Sequence, residues 1–149
     1  MKTSTIILSI HPQHIEKILS GQKRYEYRKY VPTDIQHIVV YATAPIKAIV
    51  AFIDVDIVLN DNPDTIWEKT QDYSGVSKTF FMDYYREKQS AYAIHVKRVY
   101  KLSIPKSLTT LKDIIYAPQA YKYVQETIPE IYQKLGISIM NENRSPSSF

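Results

Sequence analysis

Between residues 20 and 28 the chain reads Ser-Gly-Gln-Lys-Arg-Tyr-Glu-Tyr-Arg. Lys23, Glu26 and Arg28 are the residues there best equipped for chemistry. An ammonium and a guanidinium hold anions. A carboxylate beside them can accept hydrogen bonds from the amino edge of a base, or serve as a general base whose pKa its neighbours tune. Tyr25 and Tyr27 are interleaved with them, and tyrosine rings stack on unpaired bases. Two plainer readings stand beside this one. The stretch could be a helix stop followed by a solvated strand, or an ion-pair set that braces helix against strand. Strand alternation also imposes a condition. Tyr25 and Tyr27 fall on one face and Arg24, Glu26 and Arg28 on the other, while Lys23 has the parity of the tyrosines. For the three charges to meet, the turn after Gly21 must redirect Lys23.

The other candidate clusters are weaker. His11 and His14 flank a helix start, but no carboxylate or third histidine stands at ligand-like spacing. Asp54 and Asp56 share one side of a strand and read as its wet face rather than a cation site. Gly75-Val76-Ser77-Lys78-Thr79 ends like a phosphate loop but lacks the second glycine and the spacing. His95, alone on a strand, reads as structural. Cysteine is absent, which excludes disulfides, thiolate metal sites and a cysteine nucleophile. With only three glycines, a dinucleotide-binding fingerprint cannot be built. No cofactor and no metal is expected, and any hydrolysis would have to use activated water or a lysine.

The elements that must position these residues follow from periodicity. Residues 5–10 form a β-branched run that predicts a first strand. Pro12 suits a helix start, Ile15, Ile18 and Leu19 recur at helical spacing, and Gly21 closes the helix. Strands are expected over 23–30, 39–43, 48–58 and 90–100, the last with a bulge near Arg98. Asn62 and Pro63 predict one helix start, and Ser77 another. Phe80, Phe81, Tyr84 and Tyr85 then form an aromatic stripe read as core. Ile128, Ile131 and Leu135 indicate a terminal helix closed by Gly136. Residues 1–140 are expected to make a single domain and 141–149 a disordered tail.

A chain of 149 residues can bury one real core. Its net charge of +4 leans modestly toward an anionic partner. No apolar run reaches the ~20 residues of a membrane span, and the N-terminal apolar stretch is too short for a secretory signal. The chain is expected to be cytoplasmic, with no membrane partner and an oligomeric state that the sequence leaves open. The order strand, helix, then several long strands with two inserted helices indicates an α+β fold with a curled, mostly antiparallel sheet around one core.

Ser9-Ile10-His11-Pro12, the helix ending at Ser20-Gly21, and the Gly-x-Lys-x-x-Glu-x-Arg pattern of Gly21, Lys23, Glu26 and Arg28 together resemble the ASCH domain of the PUA-like superfamily. Tyr41-Ala42-Thr43-Ala44-Pro45, Trp67, Tyr92-Ala93-Ile94 and Pro118-Gln119-Ala120-Tyr121 continue the likeness, which covers roughly residues 5–125. The resemblance implies a PUA-like small β-barrel with peripheral helices and a cleft beside the first helix, lined by Lys23, Glu26 and Arg28. It also implies RNA or a nucleotide-like ligand, read in that cleft with Tyr25 and Tyr41 as stacking candidates and Thr43 as a polar contact. Some ASCH-like proteins are hydrolases, either ribonuclease-like or acting on acetylcytidine. In that case Lys23 and Glu26 would be catalytic. The acetylcytidine enzymes carry a threonine where this chain has Glu26, a departure that weighs against that substrate.

Overall fold

The computed structural model of the chain describes residues 4–138, together with the backbone of residues 147–148. It is a curled mixed sheet, a half-barrel, with four α-helices around it. The strands are β1 (Thr5–Ile10), β2 (Tyr25–Arg28), β3 (His37–Ala42), β4 (Ala48–Asp61), β5 (Ala91–Lys106), β6 (Lys122–Tyr123) and β7 (Ser147–Ser148). The order across the sheet is β2-β5-β4-β3-β1-β6, with β7 paired to β5. Among the described residues, β1 and β3 run parallel and the other pairings are antiparallel. The expected tail over 141–149 lies outside the described residues apart from β7.

Both faces of the central strands are covered, so those strands read as continuous apolar runs instead of alternating ones. Ile6, Leu8, Ile10, Ile38, Val40, Ala51 and Ile53 pack on one face with Ile15 and Ile18 of α1 (Pro12–Ser20). Ile7, Val39, Ile49 and Phe52 pack on the other with Ile131 and Leu135 of α4 (Ile128–Leu135). A third cluster joins Tyr27, Ala91 and Ala93 to Ile66 of α2 (Pro63–Thr70) and Phe81 of α3 (Lys78–Tyr84).

Several terminations occur for the expected reasons. Gly21 closes α1 with φ 85°, a left-handed conformation that costs residues with a Cβ. Asn62 and Ser77 cap α2 and α3 by accepting from the backbone N–H of Thr65 and Phe80. The two longest strands run well past their expected ends, to Asp61 and Lys106. The two strands pair with each other as far as Asp61 with Ala91 at one end and Ile49 with Lys106 at the other. The register between them slips at Asp54/Val55, opposite Arg98 and Val96, where the sequence suggests a bulge. β2, by contrast, is only four residues long.

Candidate functional site

Among the described residues, β2 stands at the edge of the sheet and pairs with β5 alone. The parity conflict does not arise, because β2 begins at Tyr25 and Lys23 precedes its pleat. A cavity of about 170 Å³ lies between the end of β1, α1, β2 and α3. Tyr27 reaches it from the face that packs on α2 and α3. Glu26 and Arg28 reach it from the face turned toward β1. Lys23 itself lies two residues before β2 begins, outside the regular pleat.

Lys23 is almost wholly buried, 2% exposed. Its Nζ donates to the carbonyl of Ser74 at 2.8 Å and sits 4.6 Å from the Tyr27 ring centroid, within cation–π range. Burial pushes its ammonium down to about 8; Glu26 opposes that shift, and Lys17 and Arg28 add to it. The segment 73–76 is what holds the lysine. Lys17 Nζ donates to the Gly75 carbonyl at 3.0 Å, and the backbone N–H of Arg24 donates to the Tyr73 carbonyl at 2.9 Å. Gly75 has φ +70°, and a Cβ there would lie 2.5 Å from the Lys23 Cβ. No other residue type lets the lysine stem pass.

Arg28 joins strands that the sheet leaves unpaired. Its Nε donates to Glu26 Oε2 at 3.1 Å and its Nη2 to the Ser9 carbonyl on β1 at 2.8 Å. The same Nη2 lies 3.0 Å from Glu26 Oε2, with the two side chains 15% and 8% exposed. The guanidinium is thus fixed on two sides, which holds Glu26 Oε2 in place as well. Behind them Tyr27 OH is bonded to Thr70 Oγ1 at 2.6 Å, and Thr70 in turn donates to the Ile66 carbonyl at 2.7 Å. Burial is the main reason the Tyr27 phenol is pushed up to about 12.

The cavity also contains residues that the sequence pattern does not connect to it. His14 of α1 and Phe80, Phe81 and Tyr84 of α3 line it with Ser9, Ile10, His11 and Val76. His14 and Phe80 have ring centroids 6.0 Å apart. Burial, reinforced by Lys23, His11 and Lys17 against the opposing Glu26, holds the His14 imidazole below its ordinary pKa. It is therefore mainly neutral at pH 7, and its Nδ1 is buried without a partner. His11 Nδ1 caps α1 by accepting from Gln13 N at 3.1 Å, so a helix terminus uses that nitrogen. Among the described residues no group of three His, Asp or Glu side chains is placed to hold a metal.

Of the residues that sequence reasoning selects, Lys23, Glu26 and Arg28 come together in one cavity, and Tyr25, Tyr41 and Thr43 are not among its lining residues. Tyr25 stacks on His95 with centroids 4.8 Å apart. Tyr41 packs partly against the cluster beneath α4. Thr43 caps the turn after β3 through its backbone. The aromatic stripe on α3 divides in use: Tyr85 is core and bonds the carbonyls of Arg28 and Tyr92, whereas Phe80 and Tyr84 face the cavity. Only the distance of α3 along the chain conceals that second role.

Known proteins are similar to this chain in sequence or in fold. The chain is 26% identical over 110 residues to an ASCH domain-containing ribonuclease of Zymomonas mobilis, covering 72% of this chain and 74% of that one. It is 28% identical over 125 residues to the large ribosomal subunit protein uL22 of Ureaplasma parvum, covering 83% of this chain. It spans only 40% of that relative's length. The crystal structure of ASCH from Zymomonas mobilis matches with a TM-score of 0.77 at 22% identity, over 89% of this chain and 94% of that one. A mutant of a Zymomonas mobilis ASCH protein matches with a TM-score of 0.78 at 23% identity, with the same coverage. No family model matches the chain. The fold is that of the ASCH structures, as the pattern of Gly21, Lys23, Glu26 and Arg28 implies.

Proposed function

We propose that this chain is an RNA-binding ASCH-type protein that takes one base of its ligand into the cavity beside β2. The observation that carries this reading is the convergence of a buried ammonium and carboxylate and a part-buried guanidinium on a cavity of single-ring size, walled by aromatic side chains. The volume of about 170 Å³ is close to that of a ~150 Å³ cavity that binds benzene. It falls below the roughly 300–1,000 Å³ of drug-sized sites. One heterocycle fits, and its sugar and phosphate must stay outside.

Each group has a part in this. Glu26 Oε2 is engaged by Arg28, which leaves Oε1 to accept from an amino edge. An ammonium carries three donors, and Ser74 takes one of those on Lys23, so Lys23 can donate to a ring carbonyl or attract the nearby phosphate. Tyr84 and Phe80 supply apolar faces for the ring. The net charge of +4 favours a polyanion, and the similarity to a protein named a ribonuclease supports RNA as that polyanion. Titrating single-stranded RNA at two salt concentrations tests the reading. Wild type is expected to bind in a salt-sensitive way, and a Lys23→Met/Arg28→Ala variant to lose that binding. Equal binding by the two proteins refutes it.

A second reading has its own observation. With its ammonium at about 8, Lys23 is partly neutral just above pH 7, as a base or nucleophile requires. In that reading Glu26 or Lys23 activates water and Arg28 stabilises the developing negative charge. Incubation with single-stranded RNA and with acetylated cytidine decides it. Product formed by wild type and not by Glu26→Gln establishes hydrolysis, and intact substrates leave binding alone.

A further inference from the structure

Phe80 is 52% exposed and lines two concavities at once. One is the cavity beside β2. The other is an open groove of about 750 Å³ along the solvent face of α3. The ring therefore stands as a partition between a pocket that holds a single heterocycle and a larger depression next to it. Phe80 and Met82 give that groove an apolar floor, and Lys78 and Arg86 give it cationic sides. Its one carboxylate, Asp83, is paired with Arg86, so Lys78 supplies the groove's net positive charge. An apolar floor for a stacked ring with cations beside it for phosphate is the arrangement that suits a nucleotide of a single strand.

Resting on the base-binding reading above, we infer that the groove on α3 binds the nucleotide adjacent to the one in the cavity, so that the ligand is single-stranded RNA laid across Phe80 and not a free nucleoside. Size points the same way. The cavity cannot enclose the sugar and phosphate of the base it holds, and the groove beside it is shared through Phe80 and lined by Lys78. An exposed phenyl between two binding depressions serves as a shelf on which a base stacks, and this requires no sequence preference.

The test compares cytidine and uridine with a short single-stranded oligocytidylate and oligouridylate, on wild type and on Lys78→Ala/Arg86→Ala. Both substituted residues are exposed, so the fold is retained. The oligomer is expected to bind wild type roughly tenfold more tightly than the nucleoside, the effect of one further stacked base. In the double variant the plot of log affinity against log salt for the oligomer is expected to flatten by at least about 0.7, the share of the one phosphate contact that Lys78 makes on a single strand. Nucleoside binding is expected to stay unchanged. If nucleosides bind but the oligomer binds no more tightly, or its salt slope survives the double substitution, the groove is not a subsite and the cavity reading stands. If neither nucleoside nor oligomer binds, both readings fall.

Discussion

Raising the pH from about 7 to about 9.5 is expected to stabilise the folded chain through Lys23. Burial holds its ammonium at about 8 in the folded state, against 10.5 as the ordinary value. Below pH 8 both folded and unfolded chains carry the proton, and the folded state bears the whole cost of a buried charge. As the pH rises the folded lysine releases its proton first, that cost shrinks, and stability climbs until the unfolded lysine titrates near 10.5. Integrated between about pH 7 and about pH 9.5, this one group contributes about 2 kcal/mol of added stability. The window must stop there. Tyr27 is held at about 12 and Tyr132 likewise, so their phenols ionise in the unfolded chain first and lower stability above about pH 10. Urea unfolding followed by the fluorescence of Trp67, the sole tryptophan, gives the free energy at each pH. The same series on Lys23→Met removes the lysine contribution and keeps the tyrosine one, so the difference between the two curves isolates Lys23. Parallel curves over this window would show that Lys23 carries no buried, destabilised charge, and the electrostatic account of the cavity would then be wrong.

Other substitutions probe the framework around that lysine. Gly75→Ala places a Cβ 2.5 Å from the Lys23 Cβ at φ +70°. It is expected to cost at least about 1–2 kcal/mol from the left-handed backbone alone, read as a lower urea midpoint, and to abolish ligand binding by displacing Lys23. An unchanged midpoint contradicts the close packing described. Arg28→Lys loses the fork that spans Glu26 and the Ser9 carbonyl, because an ammonium is a point donor. A loss of about 2 kcal/mol is expected, and full stability in this variant would mean that the β2–β1 tie contributes nothing. Away from the cavity, burial works against charge at Glu126. Hydrogen bonds from Lys134 and the Lys112 N–H outweigh that effect and hold its carboxyl below the usual value. Its stabilisation is therefore present above the ordinary carboxylate pKa and lost as pH falls through the lower folded value. Glu126→Gln is expected to lower stability near neutral pH by about 1–2 kcal/mol and to flatten the acid limb of the pH–stability curve; an unaltered acid limb refutes the assignment.

What the sequence determined by itself is local. The run at Thr5–Ile10, Pro12 and Gly21 around α1, Asn62 and Ser77 as caps, and the bulge opposite Arg98 are all legible, because strand alternation, helical spacing and capping depend on residues a few positions apart. The capping box of Thr127 and Glu130 on α4 obeys the same local rules. The order of elements and the spacing of Gly21, Lys23, Glu26 and Arg28 indicated the ASCH-like fold and three residues of the cavity. Tertiary structure alone decided how those three meet. Parity on one strand sends Lys23 away from Glu26 and Arg28. They converge because β2 begins only at Tyr25, which leaves Lys23 outside its pleat and held by the Ser74 carbonyl, and where a strand begins is set by pairings between distant segments such as Tyr25 with His95. For the same reason the carbonyl of Ser74 on Lys23, the passage left open by Gly75, and the faces of His14, Phe80 and Tyr84 carry no signature in local periodicity. They lie up to about sixty residues from the motif along the chain, and only closure of the half-barrel against α3 brings them to it.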